Sequence, residues 1–230
     1  MNSPVPPRQL PLDLALDPRF GREDFLVGTS NEAAFEAIER WPEWPAPVLM
    51  LVGPEGSGKS HLAAIWAQVS RADTLSARYL GRRSPASFAT CKALVLEDAD
   101  VDGLAEASLF HLMNIFRDSG AALLITARRR PDLWGLATPD LLSRLRLAPV
   151  AEIHPPDDAL LRALIVKLFI DRQLIVDTNV VEYVLARIER SFAAVAATVD
   201  ALDREALALG RRVTRPVAAQ VLGRNDTSDA

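Results

Sequence analysis

A chain of 230 residues suffices for one mid-sized domain with a smaller appendage, and 49% hydrophobic against 24% charged residues lets it bury a core and stay in solution. A net charge of −4 argues against a broad nucleic-acid-binding surface, which needs a basic excess. No apolar run approaches membrane-spanning length, the start lacks the basic-then-apolar layout of a signal peptide, and a lone Cys91 cannot form an internal disulfide, so a cytoplasmic protein is expected.

The first element in chain order is anomalous. Leu10, Leu12, Leu14 and Leu16 alternate with other residues, as in a strand with one apolar face. Yet Pro4, Pro6, Pro7 and Pro11 crowd the same stretch and would deny a sheet several of its donors. Further on, short apolar runs at 48–52, 93–97, 121–127 and 150–154, with a weaker one at 75–80, predict five buried strands. Helical spacing lies between them at 60–70 and 104–120. Alternating buried strands and helices imply a parallel sheet covered on both faces. After Pro155 and Pro156 the strand signal stops, and helices are expected over 157–173, 179–189 and 192–210, with a short one after Pro216. The domain plan is therefore a tail over 1–19, an α/β domain over 20–155, a helical domain over 156–223 and a polar end over 224–230.

Gly53, Pro54, Glu55, Gly56, Ser57, Gly58, Lys59 and Ser60 match G-x-x-x-x-G-K-[ST] between an expected strand and an expected helix. Glycines let backbone N–H groups fold around a phosphate, and a helix N-terminus adds partial positive charge. Lys59 is expected to reach the β- and γ-phosphates and the Ser60 hydroxyl to ligate Mg²⁺, with His61 closing the nucleotide-binding set. The cofactors expected are ADP or ATP with Mg²⁺. A second acidic strand end is needed for the metal, and 93–97 ends in Glu97 and Asp98, with Asp100 beyond. The usual order at such a site is Asp first. A Glu in that place can still approach Mg²⁺, whereas Asp98 is short for activating water, so nucleotide binding is expected and fast turnover is not. Arg128 to Arg130 would suit a small phosphate patch or, more ordinarily, a solvated surface. The three histidines lack metal-ligand spacing, and Trp41, Trp44, Trp66 and Trp134 read as packing or hinge residues.

Several segments in order resemble the AAA+ domain of the bacterial replication initiator DnaA. "FLVGTSNEAAFEAI" resembles its adenine-side box through Phe25, Val27, Gly28, Ser30 and Asn31. "LLITARRRP" resembles its sensor 1 strand with Thr126 as the polar sensor, "TPDLLSRL" its box VII, and "IHPPDDALLRAL" the hinge into a helical lid. The resemblance runs from about residue 20 to 222 and implies a P-loop AAA+ fold: a five-stranded parallel sheet flanked by helices, then an all-helical lid. The chain ends soon after the lid, so the initiator's C-terminal helix-turn-helix domain is expected to be missing.

That ending and the leucine segment together resemble the initiator's regulatory homologue, the Hda type. Its N-terminal motif for the β sliding clamp has the form Q-L-x-L-x-L, matched by Gln9, Leu10, Leu12 and Leu14. A proline-stiffened peptide loses less entropy on docking. The resemblance implies a regulator that sits on DNA-loaded clamps and makes DnaA hydrolyse its ATP, limiting re-initiation of replication. Arg144 matches the arginine finger of box VII, offered to the partner's γ-phosphate. The expected partners are the clamp and DnaA, with DNA reached only through the clamp, no membrane, and self-association left open. Replisome-associated cytoplasm is the implied location. The lid arginine that senses nucleotide in this family falls near Ala193, which carries no charge; Arg190 is three residues away. Weak intrinsic hydrolysis and a preference for ADP follow from that departure. The alternatives are a helicase-loader-type AAA+ helper binding single-stranded DNA, for which no aromatic-and-basic track is visible, and a P-loop small-molecule kinase, which leaves the DnaA-like boxes unexplained.

Overall fold

In the computed structural model residues 21–225 are described; the stretch from Gln9 to Leu14 lies outside them. Five strands pair in parallel: β1 (Val48–Val52), β2 (Asp73–Ser76), β3 (Ala93–Glu97), β4 (Ala122–Ala127) and β5 (Val150–Glu152), in the order β2-β3-β4-β1-β5. Every residue of β1 is buried, as a central parallel strand covered on both faces requires. Register brings Met50 beside Ile125 and Leu96 beside Ile125 from the other side, so large aliphatic side chains stack across the sheet.

Period-two alternation then divides those side chains between two cores. On one face Met50, Leu94, Leu96, Leu123 and Ile125 pack with Leu109, Leu112 and Phe116 of α3 (Glu106–Ser119) and with Leu141 and Leu145 of α4 (Pro139–Leu147). On the other, Leu49, Leu51, Val95 and Leu124 meet Ile38 of α1 (Glu32–Glu39) and Leu62, Ile65 and Trp66 of α2 (Lys59–Ser70). Burying each such side chain stabilises the fold by about 1.5–3 kcal/mol. Trp44 stacks on Trp66 at 4.9 Å between ring centroids and Trp41 meets the same ring edge-on at 6.3 Å, so these three are packing residues.

The edge strand departs from expectation. The run 75–80 is strand only at its start, and Ala77–Arg82 coils into 3₁₀ turns. Ala77 and Leu80, three apart, are the buried residues of that turn, and a 3₁₀ period places them on one side where a strand would split them.

The described chain divides into two compact units between Pro155 and Pro156. The second unit has no strand among its described residues. It comprises α5 (Asp158–Asp171), α6 (Thr178–Leu185), α7 (Phe192–Leu209) and α8 (Arg215–Asn225). Leu161, Ile165, Phe169, Val184, Val199 and Leu202 form its apolar interior. Local chemistry sets the ends: Asp157 Oδ1 accepts from the Leu160 N–H at 2.8 Å, and Ser191 Oγ accepts from Ala194 at 3.1 Å, both N-caps. Gly210 closes α7 with φ of 60°. Helix α6 stops short of the expected 189, because the following turn carries the chain to the Ser191 cap.

Candidate phosphate-binding site

Strand order creates the site. The chain leaves β1 for the far edge at β2, returns through β3 and β4, then crosses beyond β1 to β5. Open α/β sheets bind ligands where such a reversal leaves a crevice at the carboxyl ends of the strands. The segments following β1, β3 and β4 emerge there side by side.

After β1 the loop Gly53 to Gly58 turns into α2. Gly58 takes φ of 94° as the residue before the helix, a conformation L side chains rarely adopt. A Cβ on Gly53 would lie 2.7 Å from the Ile153 carbonyl oxygen, so a side chain would force the loop off the sheet. The Gly53 N–H donates to the Ala127 carbonyl at 3.1 Å, tying the loop to the end of β4. The first N–H groups of α2 are left for an anion. Lys59, nearly buried, donates from Nζ to the Gly53 and Pro54 carbonyls at 2.8 and 2.7 Å, which leaves one of its three N–H bonds. Burial pulls its ammonium below the ordinary lysine value, opposed by the carboxylates of Asp98, Asp100 and Glu55 and assisted by Arg128. Ser57 Oγ is buried without a hydrogen-bond partner. A cation losing hydration and an unpartnered buried hydroxyl on the same loop are a setting that a phosphate would relieve.

At the end of β3, burial and then the neighbouring Asp98 raise the Glu97 carboxyl above its ordinary value, against a hydrogen bond from the Ser60 hydroxyl. Ser60 and Glu97 therefore meet across the loop. No three of His, Cys, Asp and Glu cluster as an all-protein metal site among the described residues. A magnesium ion bound mainly through phosphate oxygens and water needs only one or two protein ligands, and this hydroxyl–carboxylate pair fits that need. Asp98 turns into the left-handed region with φ of 55°, which Asp tolerates better than most residues. Its N–H donates to Thr126 Oγ1 at 3.0 Å and the Ala99 N–H to the Thr126 carbonyl at 2.9 Å. Thr126, buried on β4, thus fixes the acidic turn, and its hydroxyl hydrogen stays available.

Phe25 stacks on Phe35 at 5.6 Å and presents its ring to the edge of His61 at 5.2 Å. His61 Nε2 donates to the Gly21 carbonyl at 2.9 Å, so the residue after Ser60 anchors the segment that begins the described chain. Asn31 Oδ1 accepts from the Gly28 N–H at 2.8 Å and its Nδ2 donates to the Leu26 carbonyl at 2.9 Å, closing a turn that leaves Val27 exposed. The His154 N–H donates to the Ser30 carbonyl, linking that turn to the chain after β5. The residues named from the sequence for adenine, phosphate, metal and sensor 1 thus converge at one end of the sheet.

Arg144 makes none of the contacts described above. It lies on α4 with its guanidinium over the Phe110 ring at 4.7 Å, and no carboxylate pairs with it among the described residues. Arg146, two residues on, pairs with Asp132. Glu106 of α3 accepts the N–H groups of Ala137 and Thr138 at 2.9 and 2.8 Å, capping α4, and the Thr138 hydroxyl, followed by these N–H groups, holds the Glu106 carboxyl below the ordinary range. In the helical unit Ala193 is exposed in the first turn of α7, and Arg190 pairs with Asp158. Sequence reasoning missed Asn31 as a turn clamp, Glu106 as a helix cap and Asp100 as an anchor. Only the last had a signal, an acid following an acidic strand end.

Comparisons with known proteins bear on the fold and its relationships. The family model described as "Hda, lid domain" matches residues 158–222. The chromosomal replication initiator protein DnaA of Gluconobacter oxydans is 28% identical over 95% of this chain and 51% of its own length. The chain thus spans about half the length of the curated relatives it matches. Domain III of Thermotoga maritima DnaA superposes with a TM-score of 0.77 at 20% identity, covering 90% of this chain and 97% of that one. AMPPCP-bound DnaA from Aquifex aeolicus gives a TM-score of 0.72 at 17% identity over 94% and 71% of the two chains. The parallel sheet and the likeness to DnaA domain III show an AAA+ fold, and the sequence relationship and the lid match support an Hda-type relative of DnaA.

Proposed function

We propose that the chain binds an adenine nucleotide with Mg²⁺ at its phosphate loop, docks on the β sliding clamp through Gln9 to Leu14, and stimulates ATP hydrolysis by DnaA with Arg144. Lys59 and the N-terminus of α2 hold the phosphates, Ser60 and Glu97 hold the metal, Thr126 and Asp98 line the γ-phosphate side, and Phe25, Val27 and Gly28 face the base. When bound, the metal neutralises phosphate charge and fixes phosphate geometry. Supporting the nucleotide are the glycine-bounded loop, the dehydrated Lys59 and the AMPPCP held by a similarly folded DnaA. Self-turnover is slow in this account, since the short Asp98 side chain stands where an attacking water would need its base.

The observation that carries the regulatory half is the state of Arg144. It is an arginine on a capped helix, stacked on an aromatic ring and lacking a carboxylate partner, while its neighbour Arg146 is tied to Asp132. A guanidinium held so can engage the charge that develops on a partner's transferring phosphoryl group, an effect worth roughly 10³–10⁵ in rate in well-characterised cases. The experiment is DnaA ATP turnover on clamp-loaded DNA with and without the chain, alongside a variant with Gln9→Ala and Leu10→Ala. Stimulation that is lost in the tail variant and partly restored at high protein concentration supports the proposal, since tethering raises effective concentration. Absence of stimulation by the intact chain refutes it.

A further inference from the structure

Asp100 lies two residues past the acidic turn, its side chain 0% exposed. Oδ1 accepts the backbone N–H of Arg128 at 3.2 Å, and Oδ2 has no hydrogen-bond partner. At Oδ2 only charge offsets that burial: Nε of Arg128 and of Arg129 stand 3.6 and 3.5 Å away. Buried carboxylates persist when something holds a cation against them. Here the carboxylate fixes both the main chain and the guanidinium of Arg128.

Arg128 reaches from there to the phosphate loop, with Nη1 3.8 Å from Glu55 Oε2. Both its ion contacts exceed hydrogen-bond length, and none of its guanidinium donors makes a hydrogen bond among the described residues. The other arginines nearby differ: Arg130 donates to Glu152 at 2.6 Å and Arg146 to Asp132 at 2.7 Å. Arg128 is thus a half-exposed guanidinium with unused donors, positioned by a buried acid at the mouth of the loop. It is also close enough to Lys59 to depress that ammonium, so the two cations face the same space. In a G-x-x-x-x-G-K-[ST] loop the lysine serves the β/γ end of the polyphosphate.

We propose that Arg128 is a binding residue of this chain for the terminal phosphate of a nucleoside triphosphate, exchanging Glu55 for that phosphate and making the site discriminate triphosphate from diphosphate. Asp100 is its positioning residue. Glu55 is the competing anion, holding Arg128 over the loop when the terminal phosphate is absent. The proposal rests on nucleotide binding at the loop, as proposed above.

The test is calorimetric binding of ADP and of AMPPCP, both with Mg²⁺, to the whole chain, with thermal melting as the check on folding. Arg128→Ala should weaken AMPPCP by about tenfold or more, the scale of a lost hydrogen bond to a charged group, and leave ADP within about twofold. Arg128→Lys should recover only part, because an ammonium lacks the planar fork. Glu55→Gln should shift preference the other way, tightening AMPPCP relative to ADP. Equal losses of both ligands in Arg128→Ala, or no loss of either, would overturn the terminal-phosphate assignment and leave an ordinary surface ion pair. Lys59→Ala keeps the two levels apart: retention of both ligands there defeats the nucleotide site itself, whatever Arg128 does.

Discussion

The two units of the chain handle charge in opposite ways. In the α/β unit polar groups are driven inward at one end of the sheet: Lys59, Asp100, Thr126, Ser57 and Asn31 are all buried there. In the helical unit most charge stays on the outside as carboxylate–guanidinium pairs, Arg162 with Glu182, Arg172 with Asp200 and Arg190 with Asp158, around an apolar interior, and the buried Glu205 accepts a hydrogen bond from Gln220. Surface pairs of this kind contribute about 0–1 kcal/mol each, so that unit stands on apolar burial and helix caps. Burying ionisable groups costs stability, and the α/β unit buries Lys59 and Asp100 where strand ends converge. The difference teaches where to look for ligand chemistry. The family model, by contrast, matched the unit with the least of it.

Perturbing each unit in turn should break or sharpen that contrast, and the largest effect belongs to Lys59. Lys59→Ala should abolish ADP binding and the rise in melting temperature that ADP gives the wild type, a rise that follows from mass action. Persistent ADP stabilisation in the variant would place the ligand elsewhere. Next in size is Leu202→Ala in the core of the helical unit, which should cost about 2–5 kcal/mol in denaturant unfolding. A cost below about 1 kcal/mol would show that interior to be loosely packed. Smaller is Glu106→Ala, which uncaps α4; melting should fall by about 2 °C, while stimulation of DnaA falls and ADP binding holds. Loss of ADP binding would tie α4 to the phosphate site instead.

The smallest effect is a pH dependence at Glu97. Its folded-state pKa is raised, so the folded chain bears a penalty when the carboxyl is ionised, above that folded value. The penalty fades as pH falls towards the unfolded value of about 4.3. Glu97→Gln should therefore melt above wild type near neutral pH in the absence of divalent metal, with the gap closing as pH falls. A gap that widens on acidification would reverse the assigned sign.

Much of this was legible before any coordinates. The central strands announce themselves because parallel strands covered on both sides are apolar on both faces, as in Val48–Val52 and Ala122–Ala127. The edge was harder: Asp73–Ser76 is too polar to stand out, and the apolar spacing of Ala77 and Leu80 belongs to a turn. Gly53 to Ser60 lies within one local segment, so spacing alone is enough to single it out as a candidate. Asp100, Arg128 and Glu55 meet only through tertiary structure, across separations no local pattern encodes. Glu106 gave no cue either, since its acceptors' partners Ala137 and Thr138 lie about thirty residues on.

Arg144 is where the account is most exposed. The direct measurement is DnaA ATP turnover on clamp-loaded DNA with the wild-type chain and with Arg144→Ala, after ADP binding and clamp binding by the variant are shown to match wild type. The account predicts that stimulation disappears in Arg144→Ala, returns weakly at most in Arg144→Lys, and is not recovered by raising protein concentration. Full stimulation by Arg144→Ala, or its recovery at high concentration, would contradict it.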